Sequence, residues 1–267
     1  MYRPFWTRFL TRLREIASFG ALAAAFGALA WLAMRLDTLP ALQLTPWATA
    51  DATAPLIVVD AGHGGHDGGA VANGVVEKHL ALALAHRLRH HLESQGLRVK
   101  MTRLTDDFLS LEDRSRLANQ LGATAFVSLH LNTSVTAPEV TGLETYYSRR
   151  KSLSLRQDLL DDEGPRLARC IQRHACRLGR AEDRGIREKP YAVVSNTECP
   201  AVLVECGFLT NAAEAARLSR AEDQDCLTAG IAFGVAEFIK IRGAKPPAPR
   251  QVASASSPLP AAEDPSP

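Results

Sequence analysis

Ile57-Val58-Val59-Asp60-Ala61-Gly62-His63-Gly64-Gly65-His66-Asp67-Gly68-Gly69-Ala70, followed by Glu77-Lys78, is the stretch around which the chain is organised. The β-branched run Ile57–Val59 reads as a buried strand. It stops at Asp60 in a loop so rich in glycine that the backbone can enter conformations closed to other residues. A loop of that kind holds something. His63 is a good ligand for a borderline metal ion, and Glu77 stands where a helix opens, a place where a carboxylate is also favoured by the helix dipole. Two ligands do not complete a site, so the others are sought along the chain.

Strand and helix patterns alternate from there. Leu56–Asp60 is expected as the first strand, and Glu77–Gln95 as a helix whose Leu80, Leu84, Leu88 and Leu92 recur every four residues until Gly96. Leu97–Thr102 reads as the next strand. Ser110-x-x-Asp113 resembles a capping box opening a helix to Leu121, with Gly122 as its stop. Ala125–Leu131 and Gly142–Ser148 read as strands and Arg166–Leu178 as a helix. Tyr191–Ser195 and Ala201–Val204 look extended, and Asn211–Ser219 and Glu222–Lys240 look helical. The alternation predicts an α/β fold: a single domain with a mostly parallel twisted sheet flanked by helices, preceded by one N-terminal membrane span. Ligands in such a sheet gather at the carboxyl ends of the strands.

That rule selects the candidates. His63 follows the first strand, His130 ends the strand through Ala125–Leu129, Glu205 ends Ala201–Val204, and Glu77 lies just beyond the first loop. Two histidines and one carboxylate leave zinc a fourth position for water, as in catalytic rather than structural sites. Glu205 remains as a general base. Taken singly, each has a plainer reading: a histidine closing a strand hydrogen-bonds in the core, Glu77 is a first-turn carboxylate, and Glu205 caps a turn. Their meeting on one rim favours a metal site. His79, His86, His90, His91 and His174 fall in helices among arginines and read as solvated, and His66 is left outside the ligand set.

With 267 residues, 46% hydrophobic and 22% charged, the composition is that of a globular protein, and no basic stripe with interleaved aromatics supports a nucleic-acid partner. Cys170, Cys176, Cys199, Cys206 and Cys226 lack metal-ribbon spacing and are odd in number, so no disulfide framework is expected, though one bridge stays open. At the amino end Arg3, Arg8, Arg12 and Arg14 precede the uncharged run Ala17–Met34. That run is about the minimum length that crosses a bilayer, and the charge bias places residues 1–16 in the cytoplasm and the rest beyond the membrane. Ala28-Leu29-Ala30 also reads as a signal-peptidase site, so an uncleaved anchor over 17–34 and a cleaved signal peptide both stand; each exports the domain. Residues 35–54, dotted with Pro40 and Pro46, read as a linker, 55–242 as the catalytic domain, and 243–267 as a disordered Pro/Ala/Ser tail.

The string Val59 to Gly65 with Asp67 and Gly69-Ala70, then Glu77-Lys78, Ser128-Leu129-His130-Leu131-Asn132 and Pro200 to Asn211, resembles the zinc-dependent N-acetylmuramoyl-L-alanine amidases of bacterial cell separation and of spore or wall turnover. Thr102-Arg103, Leu111 with Arg114, Ala118-Asn119 and Gly142-Leu143-Glu144-Thr145-Tyr146-Tyr147-Ser148 are further matches. The resemblance implies that His63, Glu77 and His130 hold Zn2+, that Glu205 is the catalytic glutamate and that Asn132 touches substrate. It implies hydrolysis of the amide between the lactyl group of N-acetylmuramic acid and L-alanine in peptidoglycan. Cys206 stands where the family usually has an aliphatic residue. Arg149 to Pro165 is short for the helical insert that covers the zinc site in cell-separation members, and its Leu159-Leu160-Asp161-Asp162-Glu163 reads as a solvated loop, with a small acidic plug over the site as the alternative. A monomer that needs no activator protein is therefore expected. The expected setting is the periplasmic side of the inner membrane, held to its lipid by the N-terminal span or released if that span is cleaved. A silent peptidoglycan-binding module would lack a ligand or Glu205, and a carboxypeptidase acting on stem peptides would share the metal chemistry.

Overall fold

The computed structural model describes residues 52–148 and 163–243. The expected span, nearly all of the linker, the acidic stretch up to Asp162 and the tail from residue 244 lie outside the described residues. Among the described residues no helix is long and apolar enough to cross a membrane.

The elements run β1 (Leu56–Ala61), β2 (Val71–Ala72), β3 (Val75–Val76), α1 (Glu77–Ser94), β4 (Arg98–Met101), α2 (Leu111–Gln120), β5 (Ala125–Asn132), β6 (Leu143–Tyr147), α3 (Glu163–Gly179), β7 (Asp183–Glu188), α4 (Ala192–Ser195), β8 (Ala201–Phe208), α5 (Ala212–Leu218) and α6 (Ala221–Arg242). Six strands form one sheet in the order β4-β1-β5-β8-β6-β7. β4, β1, β5 and β8 are mutually parallel; β6 runs antiparallel to β8, and β7 is parallel to β6. The expected α/β domain with a mostly parallel sheet is therefore what forms.

Alternation along the strands divides the core into two layers. Ile57, Val59, Val127, Leu129, Val202 and Val204 face a large cluster shared with Leu84 and Leu88 of α1, Ile171 of α3 and Val235 of α6. Each such side chain contributes about 1.5–3 kcal/mol by leaving water. In α6, Gly230 and Gly234 lie against the α3 backbone: an added Cβ would sit 2.6 Å from the His174 oxygen and 2.5 Å from the Ile171 Cα. Val58, Phe126, Leu203 and Tyr146 point the other way, into a smaller cluster with Ala118 of α2 and Val193 and Val194 of α4. The functional side chains lie on this second face.

Several sequence expectations are corrected. Tyr191–Ser195 is not extended: Ala192–Ser195 is one helical turn. The edge position beside β6 is taken by β7, whose Asp-Arg-Gly-Ile-Arg-Glu sequence gave no apolar signal, and Val193 and Val194 bury themselves from the turn instead. The strand expected to stop at Val204 continues to Phe208, because β5 and β6 extend the ladder on its two sides. Glu205 thus lies inside β8 rather than at its end. The helix expected from Arg166 begins at Glu163, with Pro165 in the first turn where its missing N–H costs nothing. The Ser110 cap forms, its hydroxyl accepting from the Asp113 amide at 3.1 Å. All five cysteines are free, and Cys206 is buried in the large cluster.

Candidate active site

Three segments deliver the site. The chain leaves β1 through Gly62 into a loop where His63 itself takes a left-handed φ of 59°. For a residue with a Cβ that conformation is strained, and it is held by two buried arginines. Arg114 donates to the carbonyls of Ala61 and His63 at 2.7 and 2.8 Å, and Arg103 to those of Ala61 and Gly62 at 2.9 and 2.8 Å. Arg114 is neutralised by the fully buried Asp60 at 2.9 Å, which also accepts from Thr102 and Ser128. The tight β2–β3 hairpin, turning at Asn73-Gly74 with positive φ at both, then feeds the chain into α1 at Glu77.

His63 Nε2 lies 3.0 Å and His130 Nδ1 3.1 Å from the same Glu77 oxygen, and one ligand atom from each of the three residues falls within 4.8 Å of the others. Burial would raise the Glu77 pKa, but hydrogen bonds with His130 and His63 outweigh it and hold the carboxyl well below its usual range. The amides of Leu131 and Ala70 donate to its two oxygens at 3.0 and 2.8 Å. Space around the trio is closed to any added carbon. A Cβ at Gly62 would stand 2.4 Å from the His130 ring, and one at Gly69 would meet Glu77 Oε2 and His63 at 2.6 Å. Two imidazole nitrogens and one carboxylate oxygen, fixed by backbone and converging from a loop, a helix start and a strand, fit a divalent ion such as zinc.

Sequence reasoning gave no role to Asp67, although it lies four residues after His63. Its Oδ2 is 2.9 Å from His63 Nδ1, so a proton on that nitrogen leaves Nε2 turned toward Glu77 and His130. The Gly69 amide holds the other oxygen at 3.1 Å. Asp67→Ala is expected to weaken zinc binding by about 10–100-fold, the usual effect of removing a carboxylate behind a ligating histidine. A competition titration with a zinc chelator measures this, and unchanged affinity would deny Asp67 that role.

Across the sheet the site continues as a row. His130 of β5 stands opposite Glu205 of β8, which stands opposite Glu144 of β6. Glu205 is 9% exposed, and its Oε2 is buried with no hydrogen-bond partner among the described residues. Burial, with the nearby Glu77 and Glu144 charges, pushes its pKa up to about 7 against the opposing pull of His130. Such a group accepts and releases a proton near neutrality. Glu144, also missed, is fixed by Tyr146 Oη at 2.6 Å and by Arg184 and Arg187 at 2.9 and 3.2 Å. Asn132 points its amide nitrogen at Glu144 from 3.4 Å. The remaining histidines lie elsewhere: His66 stacks on Phe108, His86 bonds the Leu104 carbonyl, His91 pairs with Asp225 and His174 with Glu237, and His79 and His90 are exposed on α1.

A sequence profile described as N-acetylmuramoyl-L-alanine amidase matches residues 57–237. A crystal structure of an N-acetylmuramoyl-L-alanine amidase from Clostridium difficile 630 superposes with a TM-score of 0.65 at 34% identity, covering 71% of this chain and 98% of that one. The N-acetylmuramoyl-L-alanine amidase LytC of Bacillus subtilis is 32% identical over 69% of this chain and 35% of its own length. The CwlD amidase of Clostridioides difficile, solved in complex with the GerS lipoprotein, has a TM-score of 0.63 at 27% identity, covering 70% of this chain and 99% of that one.

Proposed function

The chain belongs to the N-acetylmuramoyl-L-alanine amidase family, and on that premise we propose that it hydrolyses the amide between N-acetylmuramic acid and L-alanine in peptidoglycan, with zinc held by His63, Glu77 and His130. The observation that carries this reading is the convergence of those three ligand atoms within 4.8 Å, beside a glutamate whose buried Oε2 has no partner among the described residues. An ion held by these three residues would supply Lewis-acid polarisation of the amide carbonyl and activation of water. Glu205 removes the proton from the attacking water and delivers it to the departing L-alanine nitrogen. Burial of Glu205 favours its protonated form, the form that delivers the proton to the leaving nitrogen. Asp67 fixes the His63 ring and the Asp60–Arg114 pair fixes the loop, so the ligands need little rearrangement. Asn132, on the same face as Glu144, contacts the substrate. No activator protein is required. Purified chain, with nothing else added, is therefore expected to release intact stem peptides from sacculi, detected by mass spectrometry, and a chelator is expected to stop it. Release of single C-terminal residues instead would indicate a carboxypeptidase.

The same reading places the domain in the cell envelope, facing the periplasm and tied to the inner membrane through 17–34, or freed if that segment is cleaved. Support comes from the arginines before the uncharged run and the single Arg35 after it. A reporter joined after Pro267 is expected to be active only outside the cytoplasm; a cytoplasmic signal would defeat this placement. Retention of residues 1–14 on the mature protein would distinguish an anchor from a signal peptide.

A further inference from the structure

Beyond Glu144 the row across the sheet changes sign. β7 pairs with β6 so that Arg187 stands opposite Tyr146, and Ile186 packs on the large cluster, which turns Arg187 toward the face carrying Glu205 and Glu144. Arg187 is 51% exposed and, among the described residues, ion-pairs with Glu144, which leaves part of its donor fork for a planar acceptor. Lys189, just past the strand, hydrogen-bonds the Tyr191 hydroxyl at 2.9 Å, and its ammonium rests 4.6 Å from the Tyr191 ring centroid and 5.7 Å from that of Tyr146. Among the described residues no carboxylate forms an ion pair with it. Arg184 adds a third cation, shared between Glu144 and Glu182. Three cations thus gather around the buried Glu144, with Glu205 the next carboxylate along the row, and the Arg187 guanidinium and the Lys189 ammonium are the exposed members of the group.

Distance makes this edge relevant to the reaction. β7 is three strands from β5, which carries His130, about 14 Å at the usual spacing between neighbours, and an extended peptide advances about 3.3–3.6 Å per residue. A long arginine or lysine side chain reaches back over part of that gap. We propose that Arg187 and Lys189 form a subsite for a carboxylate carried on the peptide side of the substrate, within about two residues of the scissile amide. The arginine fork accepts both oxygens of such a group, and the tyrosine pair holds the lysine in place. In a muramoyl stem peptide this group is the α-carboxyl of the γ-linked D-glutamate that follows L-alanine. The assignment rests on the amidase reading given above.

The test compares two soluble N-acetylmuramoyl-L-alanyl-γ-D-glutamyl-L-lysine substrates, one with the glutamate α-carboxyl free and one with it as the amide. The full chain loaded with zinc is expected to show a KM about tenfold lower for the free acid, with kcat alike for both. Lys189→Gln, at the exposed edge, is expected to erase most of that difference by raising KM for the acid while leaving the amide unchanged, and Arg187→Gln to raise KM for the acid several-fold more than for the amide, any change in kcat through its contact with Glu144 being the same for both. Arg187→Lys is expected to restore part of it, which a merely structural role for Arg187 would not do. Equal KM values in the unaltered protein, or variants that shift both substrates alike, would overturn the subsite while leaving the amidase reading intact. If neither substrate released its peptide, the amidase reading would fall and the subsite with it.

Discussion

His130→Ala is expected to lower zinc affinity by at least about 10²-fold and to abolish peptide release, with the fold retained. Loss of a supporting carboxylate behind a ligating histidine already costs about 10–100-fold in affinity, and removal of the ligand itself exceeds that. His130 shares the Glu77 oxygen with His63, and its ring lies in T-shaped contact with the His63 ring at 4.9 Å. Its removal therefore leaves a two-ligand site with a void on the sheet side. The side chain is only 17% exposed, so the truncation also loses packing, and an unchanged circular dichroism spectrum is the check that the fold survives. His90→Ala, on the exposed side of α1 and outside the cluster, is the control and is expected to change neither zinc content nor activity. Equal zinc content in unaltered and His130→Ala protein would remove His130 from the ligand set.

Glu205→Gln separates binding from proton transfer. The amide nearly reproduces the shape and volume of the carboxylic acid, so zinc is expected to stay bound and the melting behaviour to change little. Turnover is expected to fall by at least about 10²-fold, the lower end of what a positioned general acid–base group supplies. The effect belongs in kcat rather than KM, because Glu205 acts on the proton in flight and not on the resting substrate. Near-normal kcat would reduce Glu205 to a buried structural acid. Its isolated Oε2 argues against that role, since a structural carboxylate at this depth is normally hydrogen-bonded.

Much of this arrangement was legible in the sequence because it is local. The Leu80-Leu84-Leu88-Leu92 stripe, the β-branched run of β1, the apolar runs of β5 and β8, and the Ser110 cap each encode an element within a few residues. The rule that ligands gather beyond strand ends then selected His63, Glu77 and His130 before their separation was known, and the structure brings them within 4.8 Å. What escaped depends on pairings that no local pattern states. Glu144 sits in a strand that reads as apolar, and it meets Glu205 only because β6 runs against β8 in an otherwise parallel stretch of sheet. Arg184 and Arg187 belong to β7, whose Asp-Arg-Gly-Ile-Arg-Glu composition carries no strand signal and which forms as the edge beside β6. Asp67 was visible as a residue but not as a partner, since its contact with His63 depends on a loop path set by glycines and by the Arg103 and Arg114 side chains.

Zinc K-edge X-ray absorption on the full-length, zinc-loaded protein tests directly whether one carboxylate and two imidazoles hold the ion. The predicted spectrum shows two imidazole nitrogens at about 2.0–2.1 Å and the remaining positions filled by oxygen. A sulfur shell at about 2.3 Å, or a spectrum unchanged by His130→Ala, would contradict it.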